Sequence, residues 1–252
     1  MASKTRVWGT LNNEILGEFE IITLEDDVLE EALQVLGAFF SYECICIGTE
    51  INLPESSQAR KELTELCKIV NEDHVSLAVR YVPTKAIVGV SFNKLQYIDE
   101  TKEVPFFVEF RDKRCTSENA KALMSYMIEM DEEIDPFQLF KIDCLLELMF
   151  LAVLPEYGKK GLGNALVKYS IELGRELSQG IGVEKIPKHL QDKRPKAVTA
   201  LFTSNFSQKC GKVNNFKVLN RVPHKRFIYK GKPFSERIGP MHPDSAQVAI
   251  QL

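Results

Sequence analysis

From Glu147 to Leu177 the chain reads ELMFLAVLPEYGKKGLGNALVKYSIELGREL, and few folds can hold such a stretch. Leu148 to Leu154 is an unbroken apolar run, which predicts a strand buried on both faces. Pro155 ends it, and Gly158, Gly161 and Gly163 mark a turn. A helix follows in which Leu162, Leu166, Tyr169 and Leu173 recur at helical spacing while Lys168, Glu172 and Arg175 take the wet side. The first amides of a helix have no partner within it, and the helix dipole puts partial positive charge there. Glycines let an anion approach that backbone without a Cβ in the way. Lys159 and Lys160 add mobile positive charge, so the stretch predicts a diphosphate cradle.

Spacing tests whose diphosphate it is. A Walker loop ends in Gly-Lys-Ser/Thr, but Gly163 is followed by Asn164 and Ala165. A dinucleotide fingerprint puts a third glycine where Leu166 stands. What fits is a strand, Val-x-Pro, a turn, then Gly-x-Gly at a helix start. Gly158, Lys159, Lys160, Gly161, Leu162 and Gly163 resemble the acetyl-CoA motif of the GNAT N-acetyltransferase superfamily, Gln/Arg-x-x-Gly-x-Gly/Ala. The leading Gln or Arg of that motif is Gly158 here.

Composition narrows the class. A chain of 252 residues with 44% apolar and 27% charged residues buries a substantial core and is expected to form one domain over 1–252. A net charge of -3 argues against a sequence-blind nucleic-acid binder. No apolar run approaches the roughly 20 residues that span a bilayer, and the first residues lack a signal-peptide core. Cys44, Cys46, Cys67, Cys115, Cys144 and Cys210 show no CxxC spacing, which suits reduced thiols in the cytoplasm, several of them core fillers. The four histidines lie far apart and away from the cysteines, so no metal site is expected.

Element by element, Glu18–Leu24 alternates as a half-buried strand, and Val75–Val82 with Ala86–Leu95 reads as a hairpin around Pro83-Thr84-Lys85. Helical faces follow Glu25, run from Ser56 to Val70, and run from Glu118 to Met130, whose Leu123, Met124, Met127 and Ile128 suit a core. Asp135-Pro136 caps a short helix, and the charged residues 99–116 read as an irregular loop or a ragged extension. Ala197–Thr203 is a buried strand, a helix covers Asn205–Asn214, and three strand-like pieces close the chain. This is an α/β order with a mixed sheet, and it is also the GNAT order. The resemblance therefore implies about seven strands flanked by helices, splayed at the acetyl-CoA-binding strand.

Within that superfamily, three segments resemble the insect arylalkylamine N-acetyltransferases of dopamine type. They are FFSYE ending at Glu43, LAVLPEYGKKGLGNAL from Leu151, and TSNFSQKCGKVNNFKVLNRVPH from Thr203. In the last, Asn215-Phe216 stands for the usual Gly-Phe, which Asn tolerates because it accepts positive φ. The resemblance implies that backbone groups at Leu151, Ala152 and Val153 meet the pantetheine arm. It implies also that Lys159, Lys160, Gly161, Leu162, Gly163 and Asn164 hold the pyrophosphate of acetyl-CoA, the cosubstrate.

The chemistry asks for a base. An alkylammonium of pKa near 10 costs about 4 kcal/mol to deprotonate at pH 7, and a positioned base offsets that. Glu43 stands among Phe39, Phe40, Cys44, Ile45, Cys46 and Ile47, where burial is expected to raise its pKa. The resemblance gives it the same role, with Thr203 and Ser207 matching a serine pair that orients the amine or the departing thiol; as an alternative, Thr203 or a neighbour caps the following helix. No tyrosine occurs between Tyr169 and Tyr229, so no general acid is assigned. The expected activity is acetyl transfer to a small arylalkylamine by a monomer with no nucleic-acid or membrane partner. Alternatives are another amine (a polyamine, agmatine or an amino acid), a longer acyl-CoA, or a weakly catalytic CoA-binding protein.

Overall fold

The computed structural model describes residues 5–99, 101 and 104–252. In chain order its strands are β1 (Val7–Asn13), β2 (Gly17–Thr23), β3 (Leu77–Tyr81), β4 (Ile87–Tyr97), β5 (Cys144–Val153), β6 (Ala197–Phe202), β7 (Lys217–Pro223), β8 (Ile228–Tyr229), β9 (Lys232–Pro233) and β10 (Asp244–Gln251). The α-helices are α1 (Leu29–Phe39), α2 (Cys44–Gly48), α3 (Ser57–Asn71), α4 (Phe106–Arg114), α5 (Glu118–Glu133), α6 (Pro136–Phe140), α7 (Leu162–Ser178), α8 (Asn205–Val213) and α9 (Phe234–Ile238).

One mixed sheet in the order β1-β2-β3-β4-β5-β6-β10-β7 carries the fold, with β5 and β6 its parallel pair. It has eight strands rather than about seven, and the additional one is β1. Gly9 breaks the alternation of that edge strand, and an added Cβ there would meet the Tyr169 hydroxyl at 1.9 Å, so the Tyr169 side chain of α7 occupies the space a side chain at residue 9 would take. Arg6 then fastens the edge to α7 through two bonds to Glu176, of 2.6 and 2.7 Å.

Helices cover both faces. Phe92, Phe150 and Ala152 pack with α1, α3 and α5 on one side. Leu146 and Leu148 pack with the apolar stripe of α7 on the other. Buried Asn93 locks this second layer in place, since its amide donates to Val75 O at 2.9 Å and to Ser170 Oγ of α7 at 3.0 Å. The stripe on α5 is core as expected, although Leu123 and Met127 also wall a cavity. All six cysteines are free thiols. Among the described residues no helix is long and apolar enough to cross a membrane.

Residues 99–116 are corrected in part. Phe106–Arg114 is helical, with Phe107 and Phe110 buried beneath a charged outer face; residues 100, 102 and 103 of that loop lie outside the described ones. Asn215 does take a left-handed φ of 62°, and Asp135 does cap α6 through Phe137 N at 2.8 Å.

Candidate active site

The site begins where two parallel strands part. β5 pairs with β6 only over Leu146–Leu148 against Val198–Ala200. Beyond this β5 stays bound to β4 as far as Val153, and β6 stays bound to β10 through Phe202. A wedge therefore opens between Met149–Val153 and Leu201–Phe202, the splay expected of the fold. A bulge accompanies it. Leu148 faces Asn93 and Phe150 faces Phe92, which leaves Met149 without an opposite residue. The predicted two-sided burial holds for Leu148, Phe150 and Ala152, while Met149, Leu151 and Val153 are only partly buried because the wedge lies beside them.

At the head of the wedge the chain makes the predicted turn. Pro155–Tyr157 is a single 3-10 turn, and Lys159 and Gly161 take left-handed φ values of 60° and 83°. Gly161 is the N-cap of α7 and offers no side chain, so the first-turn amides around Leu162, Gly163 and Asn164 stay uncapped. The Asn164 side-chain oxygen is buried there without a partner. Lys160 folds back onto Glu156 O and Gly158 O, at 3.3 and 3.4 Å. Lys159 is exposed.

A cavity of about 360 Å3 opens along the wedge. Leu151, Ala152 and Val153 line it, whereas Lys159 to Asn164 stand outside its wall. Phe39, Tyr42, Phe150 and Phe206 give it an aromatic surface. Glu43 reaches it from the start of α2, where the carboxylate caps the helix by accepting from Cys46 N at 2.8 Å. Its other oxygen accepts from Thr203 Oγ1 at 2.6 Å, joining residues 160 positions apart. The apolar neighbourhood expected around Glu43 is present in Cys44, Ile45 and Cys46, but both oxygens of the carboxylate find donors.

Ser207 stands differently from the expectation. Its hydroxyl closes a capping box with Ser204 at the start of α8, so it fixes the helix beside Thr203, although its side chain still reaches the cavity wall. Ser204 takes the cap, which leaves Thr203 free for Glu43.

The structure also brings in residues that the sequence left without a role. Tyr42 and Tyr126 reach the cavity from the turn between α1 and α2 and from α5. Tyr126 donates to Ser245 Oγ at 2.6 Å, and Ser245 Oγ meets His224 Nε2 at 2.8 Å. His224 Nδ1 lies 2.8 Å from His242 O, and a carbonyl only accepts, so Nδ1 carries the proton. Burial lowers the pKa of His224 and raises that of Tyr126 well above its usual value. Tyr126 sits one position from the Met127 of the predicted stripe, and nothing in the periodicity marks its hydroxyl. Cys44 and Cys46 also line the cavity, but burial and then the charge of Glu43 push both thiols up, away from nucleophilic thiolates.

No family model matches the sequence, and no curated protein matches it. Solved structures do. An arylalkylamine N-acetyltransferase 7 from the yellow fever mosquito Aedes aegypti superposes with a TM-score of 0.76 at 17% identity, covering 98% of this chain and 95% of its own. Arylalkylamine N-acetyltransferase 2 from Aedes aegypti gives 0.75 at 19% identity, covering 92% and 98%. A polyamine N-acetyltransferase from Drosophila melanogaster, described as forming N-acetylagmatine, gives 0.70 at 14% identity, covering 93% and 100%. The chain has the fold of the GNAT N-acetyltransferases.

Proposed function

We propose that this chain is an acetyl-CoA-dependent N-acetyltransferase that modifies the primary amine of a small arylalkylamine by direct transfer, with Glu43 as the base. The observation that carries it is the Glu43–Thr203 pair at the mouth of the β5–β6 wedge. The residues fit acetyl-CoA on two counts. The wedge offers unpaired strand edge at Leu151, Ala152 and Val153, and α7 starts uncapped with an orphaned polar atom at Asn164. When bound there, acetyl-CoA supplies an acyl group activated as a thioester.

Everything else falls to the protein. Thr203 and the Cys46 amide fix both oxygens of Glu43, so the carboxylate presents a constant direction to an incoming ammonium. Taking that proton leaves the amine lone pair free to attack. Phe39, Tyr42, Phe150 and Phe206 shield the amine's apolar body from water. Lys159 and the first-turn amides of α7 offer positive charge for the pyrophosphate.

Glu43→Gln keeps an acceptor for the α2 cap and removes the base. In a thiol-release assay with acetyl-CoA and a panel of amines, kcat is expected to fall by about 100-fold or more, with the Kd for acetyl-CoA unchanged. Thr203→Val is expected to cost about tenfold, the worth of one hydrogen bond to a charged group. Unaltered turnover in Glu43→Gln removes the base from this scheme.

A further inference from the structure

Glu43 is held at both oxygens, but the element that carries it is slight. Helix α2 has five residues, Cys44–Gly48, too few to persist by helical hydrogen bonding alone. The Glu43 carboxylate is also its N-cap, so a shift of α2 moves the carboxylate away from Thr203 Oγ1. Much of what keeps α2 in place comes from the other end of the chain.

Between β7 and β10 the chain leaves the main sheet, makes the β8–β9 hairpin and α9, and returns. This excursion packs against α2. An added Cβ at Gly48 would stand 2.7 Å from the Phe234 ring, so that ring lies directly on the last turn of α2. Phe234 rests in turn on Phe227 and Tyr126, with ring centroids 5.7 and 6.0 Å away.

Two residues past Gly48, Glu50 receives two cations of the excursion. Lys230 Nζ donates to Oε2 at 2.8 Å, and Arg237 Nε and Nη2 lie 3.1 and 3.0 Å from Oε1. The Arg237 and Glu50 side chains are 14% and 22% exposed, which takes this pair out of the class of screened surface contacts. The bond from Lys230, against burial and with help from Arg237, holds the Glu50 carboxyl below its ordinary value.

The backbone points the same way. Glu50 and Lys230 both take left-handed φ, 62° and 46°, a conformation that disfavours any side chain. Lys230 and Gly231 form the two-residue turn of the hairpin, a geometry that favours Asn-Gly. Charged side chains at two positions better suited to glycine or asparagine mark the ion pair as the reason for that backbone. Among the described residues, none of Glu50, Lys230 and Arg237 lines the site cavity, so their contact with the reaction runs through α2.

We propose that Arg237, assisted by Lys230, is a positioning residue: gripping Glu50, it fixes α2 against Phe234 and so aims the Glu43 carboxylate at Thr203 and the incoming amine. The inference rests on the reading of Glu43 as the base and adds the excursion between β7 and β10 to the parts that orient it.

The test measures kcat and the Kd for acetyl-CoA in Arg237→Gln and Arg237→Lys, alone and in a Thr203→Val background. Arg237→Gln is expected to lower kcat about tenfold with the Kd unchanged. Arg237→Lys keeps a cation on Glu50 and is expected to recover most of that loss. In Thr203→Val the bond to Glu43 is already gone, so Arg237→Gln is expected to cost less than about twofold more. Unchanged kcat in Arg237→Gln, or the full tenfold loss repeated in the Thr203→Val background, overturns the positioning role. Should Arg237→Gln fail to fold, Lys230→Gln at an exposed side chain is expected to lower kcat about threefold, and no loss there overturns the role. A crystal structure of the Arg237 or Lys230 variant separates the two levels. A lost Glu43–Thr203 bond supports the brace even where wild type acetylates no amine, an outcome that sinks the transferase reading alone. A retained bond overturns the brace and leaves that reading standing.

Discussion

The two ends of α5 treat carboxylates in opposite ways. At its N-terminal end Glu62 of α3, only 5% exposed, accepts from the backbone and hydroxyl of Thr116, at 2.9 and 2.6 Å, from the Ser117 hydroxyl at 2.8 Å, and from Gln58. Burial pushes this carboxyl up, but the donors outweigh it and hold the pKa at about 2. At the C-terminal end Asp131 and Glu147 are raised, facing a cavity with few donors. The helix dipole favours the first arrangement and opposes the second. A surrounded carboxylate is a structural tie, whereas one left short of donors bears the cost of its own burial.

The largest effect that sharpens this contrast is the loss of the tie. Glu62→Ala leaves the Thr116 and Ser117 donors unmatched and is expected to cost about 3 kcal/mol of stability, read from the urea midpoint. A loss within error would erase the distinction. Removing charge at the other end should act with opposite sign. Glu147→Gln is expected to raise the stability of the ligand-free protein by about 1 kcal/mol, and a destabilised variant would show that the carboxylate is structural after all.

The smallest effect is in the pH profile. Glu62 has a folded pKa of about 2 against an ordinary 4.5, so its contribution is present above pH 4.5 and lost as pH falls toward 2. Asp131 and Glu147 have raised folded values against ordinary values of 3.8 and 4.5. They keep protons that the unfolded chain has already lost, so they erode stability as pH climbs above the ordinary carboxylate range. Glu62→Ala should therefore flatten the acidic limb of the urea-midpoint profile, and Glu147→Gln the limb above it. The same flattening in both variants would contradict the contrast.

Local patterns in the sequence carried far. The left-handed Gly161 ahead of α7, the Asp135 cap and the positive φ of Asn215 all follow from short-range chemistry visible in a few residues. Edge strand β1 escaped because its alternation is broken at Gly9, whose reason is the distant Tyr169. Helix α4 escaped because only Phe107 and Phe110 point inward, too few to announce a stripe. The Glu43–Thr203 pairing proposed as catalytic is a contact across 160 positions, and a resemblance rather than periodicity indicated both partners. The cavity beside Glu147 was illegible for the same reason. Asp131, Glu147 and Gln247 come from a helix and two strands, and only the tertiary fold puts them around one space.

The central claim is that the wedge between β5 and β6, headed by the uncapped start of α7, holds coenzyme A against Glu43. A crystal structure of the complex tests it most directly. The account predicts the pantetheine arm between the strands beyond Leu148 and Ala200, with the diphosphate on the amides of Leu162 to Asn164. Coenzyme density elsewhere, or a thioester beyond water-bridged reach of Glu43, would contradict it.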